Sequence, residues 1–215
     1  MSVEKVQIGP ERKSHVMSEK EKEVTAYHET GHALVRQLLP ECDPLRKVTI
    51  IPRGMALGLT WFMPDEDAHI LTQEKFEHEM ASGMGGYVAE EMIYGQVSTG
   101  PSNDLQKVTQ MARRMVTEFG MSSAVGPTVY GEANHEVFLG RDYGHVKNYS
   151  EEKAALIDKE IQSFVDKAYK KAKELLTKHR KVMEHIAKTL KEHETLTREE
   201  FVQLMEGKKL AKVKA

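Results

Sequence analysis

The sequence predicts an α+β fold that is predominantly helical, with a small antiparallel sheet and a C-terminal helical bundle. Long stretches in which apolar residues return every three or four positions carry the helical part of this reading. One pair of β-branched and aromatic runs, "RKVTIIP" and "ALGLTWF" joined through "RGM", carries the sheet. The chain has 215 residues of which 40% are hydrophobic, enough to bury a core. Its 31 Lys plus Arg against 33 Asp plus Glu leave a formal net charge of -2, so no global field draws it to nucleic acid. Cys42 is the one cysteine, which excludes an internal disulfide and a thiolate metal site. No apolar run reaches the length of a membrane-spanning helix, and "MSVEKVQIGPERKSHVM" lacks the apolar centre of a signal peptide, so the chain as written is expected to be soluble.

Residues 1–17 mix charges with Gly9 and Pro10 without a period and read as a linker. Ser18 with Glu21 forms a capping box that opens the first helix, and Pro40 stops it; Val24, His28, Gly31, Val35 and Leu38 form its inward stripe. The strand pair follows. From Thr72 to Tyr94 the helical period returns, with "GMGG" at 83–86 suited to close helix contact. After the turn-rich "VSTGPSND", Leu105, Val108, Met111, Met115 and Phe119 mark another helix, closed by Gly120. Residues 121–148 hold short strand-like pieces, "PTVYG" and "EVFLG". From Ser150 the chain is helical again, and Thr197 with Glu200 caps a last helix. The basic stretch 207–215 reads as a disordered tail. Residues 18–206 thus form one domain, divided into 18–149 and a helical part at 150–206.

Within the first helix, His28-Glu29-Thr30-Gly31-His32 matches H-E-x-x-H. Four residues make slightly more than one turn, so both imidazoles leave the same face and can hold one Zn²⁺. Glu29 lies about 100° round the helix, beside the metal, where it can act as a general base on metal-bound water. This gives the helix a zincin-like character. A catalytic zinc takes a third protein ligand, and "ALVRQLLPE" after His32 contains no further histidine. Glu90 and Glu91 in "YVAEEMIYG" and Asp104 in "PSNDLQ" are the carboxylates that spacing leaves open. Gly95 and Gly100 have the spacing of a phosphate-binding loop, but Pro101 stands where that loop needs Lys, so no nucleotide site is expected there.

Taken together, "EKEVTAYHETGHALV", "DPLRKVTIIPRG" with "ALGLTWFMP", "GGYVAEEMIYG", "VSTGPSNDLQKVTQMARRMVTEFGMS" and "EVFLGRD" resemble, in order, the peptidase domain of the FtsH family, membrane-anchored ATP-dependent zinc proteases. The resemblance runs from about Glu11 to Met205. It implies a zinc metalloendopeptidase with one Zn²⁺ per chain, His28, His32 and Asp104 as ligands and Glu29 as the base. Glu90 then becomes a group that orients a ligating histidine. The resemblance also implies an ATPase module and a membrane anchor ahead of residue 1, so that ATP and the membrane act only through those parts. It further implies unfolded or membrane proteins as quality-control substrates and a homohexameric ring. The parent protein is expected in a bacterial inner membrane with this domain facing the cytoplasm.

Overall fold

The computed structural model describes residues 17–52, 57–63, 70–131 and 149–210. The "RGM" connection, the "EVFLG" piece, residues 1–16 and residues 211–215 lie outside them.

Helix α1 spans Glu19–Gln37. Ser18 and Glu21 close its capping box, the Ser18 N–H donating to Glu21 Oε2 at 2.8 Å and the Glu21 N–H to Ser18 Oγ at 3.2 Å. It ends at Gln37, before Pro40, because residues ahead of a proline avoid helical backbone angles. Val35 and Gly31 of the expected stripe are buried, but Ala26, Ala33 and Leu34 are too. Neighbours on several sides account for this: α1 is the central helix, touching most of the other elements.

The sheet has three strands, β1 Leu45–Thr49, β2 Leu59–Phe62 and β3 Thr195–Thr197, in the order β2-β1-β3 and antiparallel throughout. Val48 is opposite Thr60 on one side and Leu196 on the other. β3 was not expected; three residues are too few to show an alternating pattern, and Glu194, at φ 59, turns the chain into it. β2 occupies an edge, held to α1 by the Arg36 guanidinium lying 3.5 Å above the Phe62 ring centroid. Arg36 is itself buried and bonded to Glu79, its Nη1 donating to Oε1 at 2.9 Å.

The stretch of helical period from Thr72 to Tyr94 forms two helices, α2 Gln73–Gly83 and α3 Gly85–Tyr94, divided at Met84. At the division α3 crosses α1 backbone to backbone. A Cβ on Gly31 would sit 2.3 Å from the Gly85 carbonyl oxygen, and one on Gly85 would sit 2.5 Å from that of Gly31. Helix α4, Ser102–Thr117, begins three residues before Leu105 and buries Val108, Ala112, Met115 and Val116. "PTVYG" forms no strand: Pro127 has no N–H to give a ladder, and the Tyr130 N–H instead bonds the Thr117 carbonyl at the end of α4 (2.9 Å).

Helices α5 Glu151–Lys178, α6 Arg180–His193 and α7 Arg198–Met205 supply the C-terminal helical part. Ile161, Phe164 and Ala168 of α5 face the common core, as do Met183, Ile186 and Leu190 of α6. Met17 is buried in the same core and Leu210 packs against it. Among the described residues no helix is long and apolar enough to cross a membrane.

The Gly31–Gly85 contact gives a direct test. Gly31→Ala must push two backbones apart, at a cost of about 3 kcal/mol, the upper end of overpacking penalties. Denaturant unfolding of this variant is expected to show a lowered midpoint with the slope unchanged.

Candidate metal centre

His28 and His32 project from one face of α1 over the starts of α3 and α4. Their Nε2 atoms are 3.0 Å apart, and Asp104 Oδ2, from the first turn of α4, lies 3.3 Å from one and 3.4 Å from the other. Among the described residues these three are the one group of histidine, cysteine and carboxylate side chains placed to share an ion. Each imidazole already uses its other nitrogen. His28 Nδ1 bonds Glu90 Oε1 at 2.8 Å, and His32 Nδ1 donates to the Ser82 carbonyl at 2.8 Å.

Those two bonds decide what the centre can hold. With Nδ1 of each ring acting as donor, both Nε2 atoms present lone pairs, and they point at each other and at a carboxylate oxygen. Three acceptors converging in this way repel unless a proton or a cation lies between them. The two separations to Asp104 match the edges of about 3.4 Å expected between ligands of a four-coordinate zinc with bonds near 2.1 Å, and the two Nε2 atoms stand slightly closer. Two imidazoles and a carboxylate, with outer nitrogens tied to a carboxylate and a backbone carbonyl, are the donor set and the support that such an ion takes. In the absence of an ion, a proton serves. Burial of the His28 ring opposes its charge, but the hydrogen bonds to Asp104 and Glu90 outweigh that and hold its pKa far above 6.5. Asp104 shifts the other way: burial would raise it, yet its bonds to His28 and His32 keep the carboxyl well below the usual range.

Glu90 is almost wholly buried and works with both oxygens. Oε1 serves His28, and Oε2 accepts the Ser98 N–H at 2.8 Å. Burial works against its charge, but the bonds to His28 and Ser98 prevail and its pKa is lowered. The loop with phosphate-like glycine spacing therefore closes on an internal carboxylate. Glu91, the other acid of "AEE", points elsewhere, accepting from Tyr169 Oη at 2.6 Å and Lys173 Nζ at 3.1 Å.

Glu29 is buried beside this cluster, on the side of α1 that faces β2. Its Oε2 accepts from Thr60 Oγ1 at 2.7 Å, and a Cβ on Gly58 would come within 2.7 Å of its Oε1. Sequence reasoning missed Gly58, Thr60, the Ser82 carbonyl and Gly86. A Cβ on Gly86 would lie 2.5–2.6 Å from ring atoms of His28, so this glycine makes room for the imidazole. "GMGG" carried that signal without showing which glycine faced what, and a threonine in a strand carries none.

The sequence profile of peptidase family M41 matches residues 15–204. Relatives include the ATP-dependent zinc metalloprotease FtsH 3 of Symbiobacterium thermophilum, 50% identical over 92% of this chain and 32% of the relative. FtsH 1 of Sphaerobacter thermophilus is 48% identical over 95% of this chain and 31% of its own length. FtsH 3 of Synechocystis is 47% identical over 95% and 34% respectively. The chain thus spans about a third of the length of these relatives.

Two expectations follow from the centre's electrostatics. Charged His28 stabilises the metal-free fold fully below pH 6.5, and that contribution declines as pH rises toward its raised folded-state value. Adding Zn²⁺ at pH 7 should therefore release a proton, seen with an indicator dye in weak buffer. Glu90→Gln, which weakens the support of His28, should reduce Zn²⁺ affinity about 10–100-fold in a chelator competition titration.

Proposed function

The chain belongs to peptidase family M41, and from that premise we propose that residues 18–206 form the catalytic domain of a zinc-dependent endopeptidase. The observation that carries the reading is the convergence of His28 Nε2, His32 Nε2 and Asp104 Oδ2 beside buried Glu29. His28, His32 and Asp104 would hold the ion, with Glu90 and the Ser82 carbonyl fixing the two rings. When bound, zinc polarises a substrate carbonyl and brings the pKa of a water toward about 7.

The remaining work falls to the chain's own groups. Glu29 takes a proton from the attacking water and passes it to the leaving amine, acting as base and then as acid. Holding that carboxylate in place counts, because proton transfer needs heavy atoms within about 3 Å of each other. β2 is an edge strand, and among the described residues nothing pairs with its outer side. An extended polypeptide can add to it through main-chain hydrogen bonds, which recognise backbone and discriminate little between side chains. Unfolded chains fit such a groove; a folded protein presents no free extended segment.

The relatives' names, which give ATP dependence, and their greater length, together with the family resemblance, support a wider reading. In it, this domain is coupled to an ATP-driven module and a membrane anchor in a homohexamer that degrades unfolded or membrane proteins in quality control. The parent protein would sit in a bacterial inner membrane with this domain on the cytoplasmic side.

Cleavage of casein or an unstructured fluorogenic peptide by the zinc-loaded chain, abolished by chelator and restored by Zn²⁺, is the expected result. Glu29→Gln should keep one zinc per chain and lose at least about 100-fold in kcat. Asp104→Ala should lose the metal. A Glu29→Gln variant cleaving at the unsubstituted rate would refute the role of Glu29.

A further inference from the structure

Glu29 needs more than its place on α1. A glutamate side chain has three rotatable bonds, and a base that swings freely spends little time in line with its proton. Here Thr60 of β2 and Gly58, just ahead of the strand, restrain it. Thr60 Oγ1 donates to Oε2 at 2.7 Å, with the Glu29 carbonyl also within 3.2 Å, and Gly58 lies so close that a Cβ on it would come within 2.7 Å of Oε1 and 2.8 Å of Cγ of the same side chain. Gly58 also lies against Thr25, one turn before Glu29, so a larger residue there has no space to yield into. Thr60 is fixed in its turn by pairing with Val48 of β1, in the centre of the sheet.

We infer that Thr60 is a positioning residue for the reaction, its hydroxyl holding the Glu29 carboxylate in the orientation that accepts the proton. The inference rests on the function proposed above. Thr60 has no bond to His28, His32 or Asp104, so its role is separable from metal binding. It also places the base under the control of the strand whose free edge is offered to substrate.

Thr60→Val keeps the branched shape and removes the hydroxyl. It is expected to lower kcat about tenfold on an unstructured peptide, with KM within twofold and zinc content unchanged. Thr60→Ser, which restores the hydroxyl, is expected to return kcat to within about threefold. A rise in KM with kcat intact would instead mean that the substitution disturbed substrate docking, and would overturn the inference. So would Thr60→Ser behaving like Thr60→Val.

A second measurement needs no activity. In the metal-free protein, Thr60→Val should lower Tm in the unsubstituted background and by less than half as much beside Glu29→Ala, where the carboxylate is gone. Equal losses in the two backgrounds overturn the inference. Glu29→Gln separates the two levels: if it remains active, the proposed role of Glu29 as base fails, and with it the premise of this inference. If it is inactive while Thr60→Val has full kcat, only the role of Thr60 fails.

Discussion

The contact on which the rest of the structure depends is the crossing of α1 and α3 at Gly31 and Gly85, where each backbone lies against the other's carbonyl. Helices packed through ordinary side chains stand 8–10 Å apart. At the short distance allowed here, Gly86 on the next position meets His28, and Glu90 one turn further reaches its Nδ1. A Cβ at either crossing point would move α3 away and take both from the imidazole. The price of two glycines in helices, about 1 kcal/mol each in propensity, is the cost of that approach.

Three carboxylates follow one another through α3 and α4, and their surroundings separate them. Glu91 is at the surface, satisfied by Tyr169 and Lys173. Glu90 is buried but saturated, one oxygen on His28 and the other on Ser98. Asp104 alone directs an oxygen at both Nε2 atoms. Because Glu90 also grips Ser98, the support of one histidine fixes the loop that leads into α4. Side chains from α1, α3 and α4 are thereby tied into one polar cluster, in which no member can move without leaving a partner unsatisfied.

Much of this was legible beforehand because it is written in short-range spacing. The capping boxes at Ser18 and Thr197, the two histidines four residues apart and the β-branched and aromatic runs of β1 and β2 all depend on neighbours along the chain. What spacing could not supply were contacts made between distant elements. The choice among Glu90, Glu91 and Asp104 was of this kind; spacing left all three open, and only the resemblance to a family singled out Asp104. β3 is three residues long and exists because β1 has a second edge to pair, a fact about β1 and not about "TLT". "PTVYG" failed in the opposite sense: its composition suits a strand, but its Tyr130 N–H is taken by the end of α4. Thr60 and Ser82 escaped notice since one acts across from a strand and the other through a carbonyl that any residue possesses.

The placement of β2 joins recognition to chemistry on the proposed reading. An edge strand is a hazard to a soluble protein unless something uses or blocks it. β2 is short and carries Phe62 clamped under Arg36, so it is firmly seated at one end. Its other end, at Gly58 and Thr60, rests on the Glu29 carboxylate. On that reading, a polypeptide bound along this strand would lie next to Thr60, the residue bonded to the Glu29 carboxylate. A loop could have offered the same hydroxyl, but without the ladder to β1 that fixes its height above α1. Helix α1 and strand β2 are therefore not two independent parts brought near each other; Thr60 and Gly58 set the strand against the Glu29 side chain.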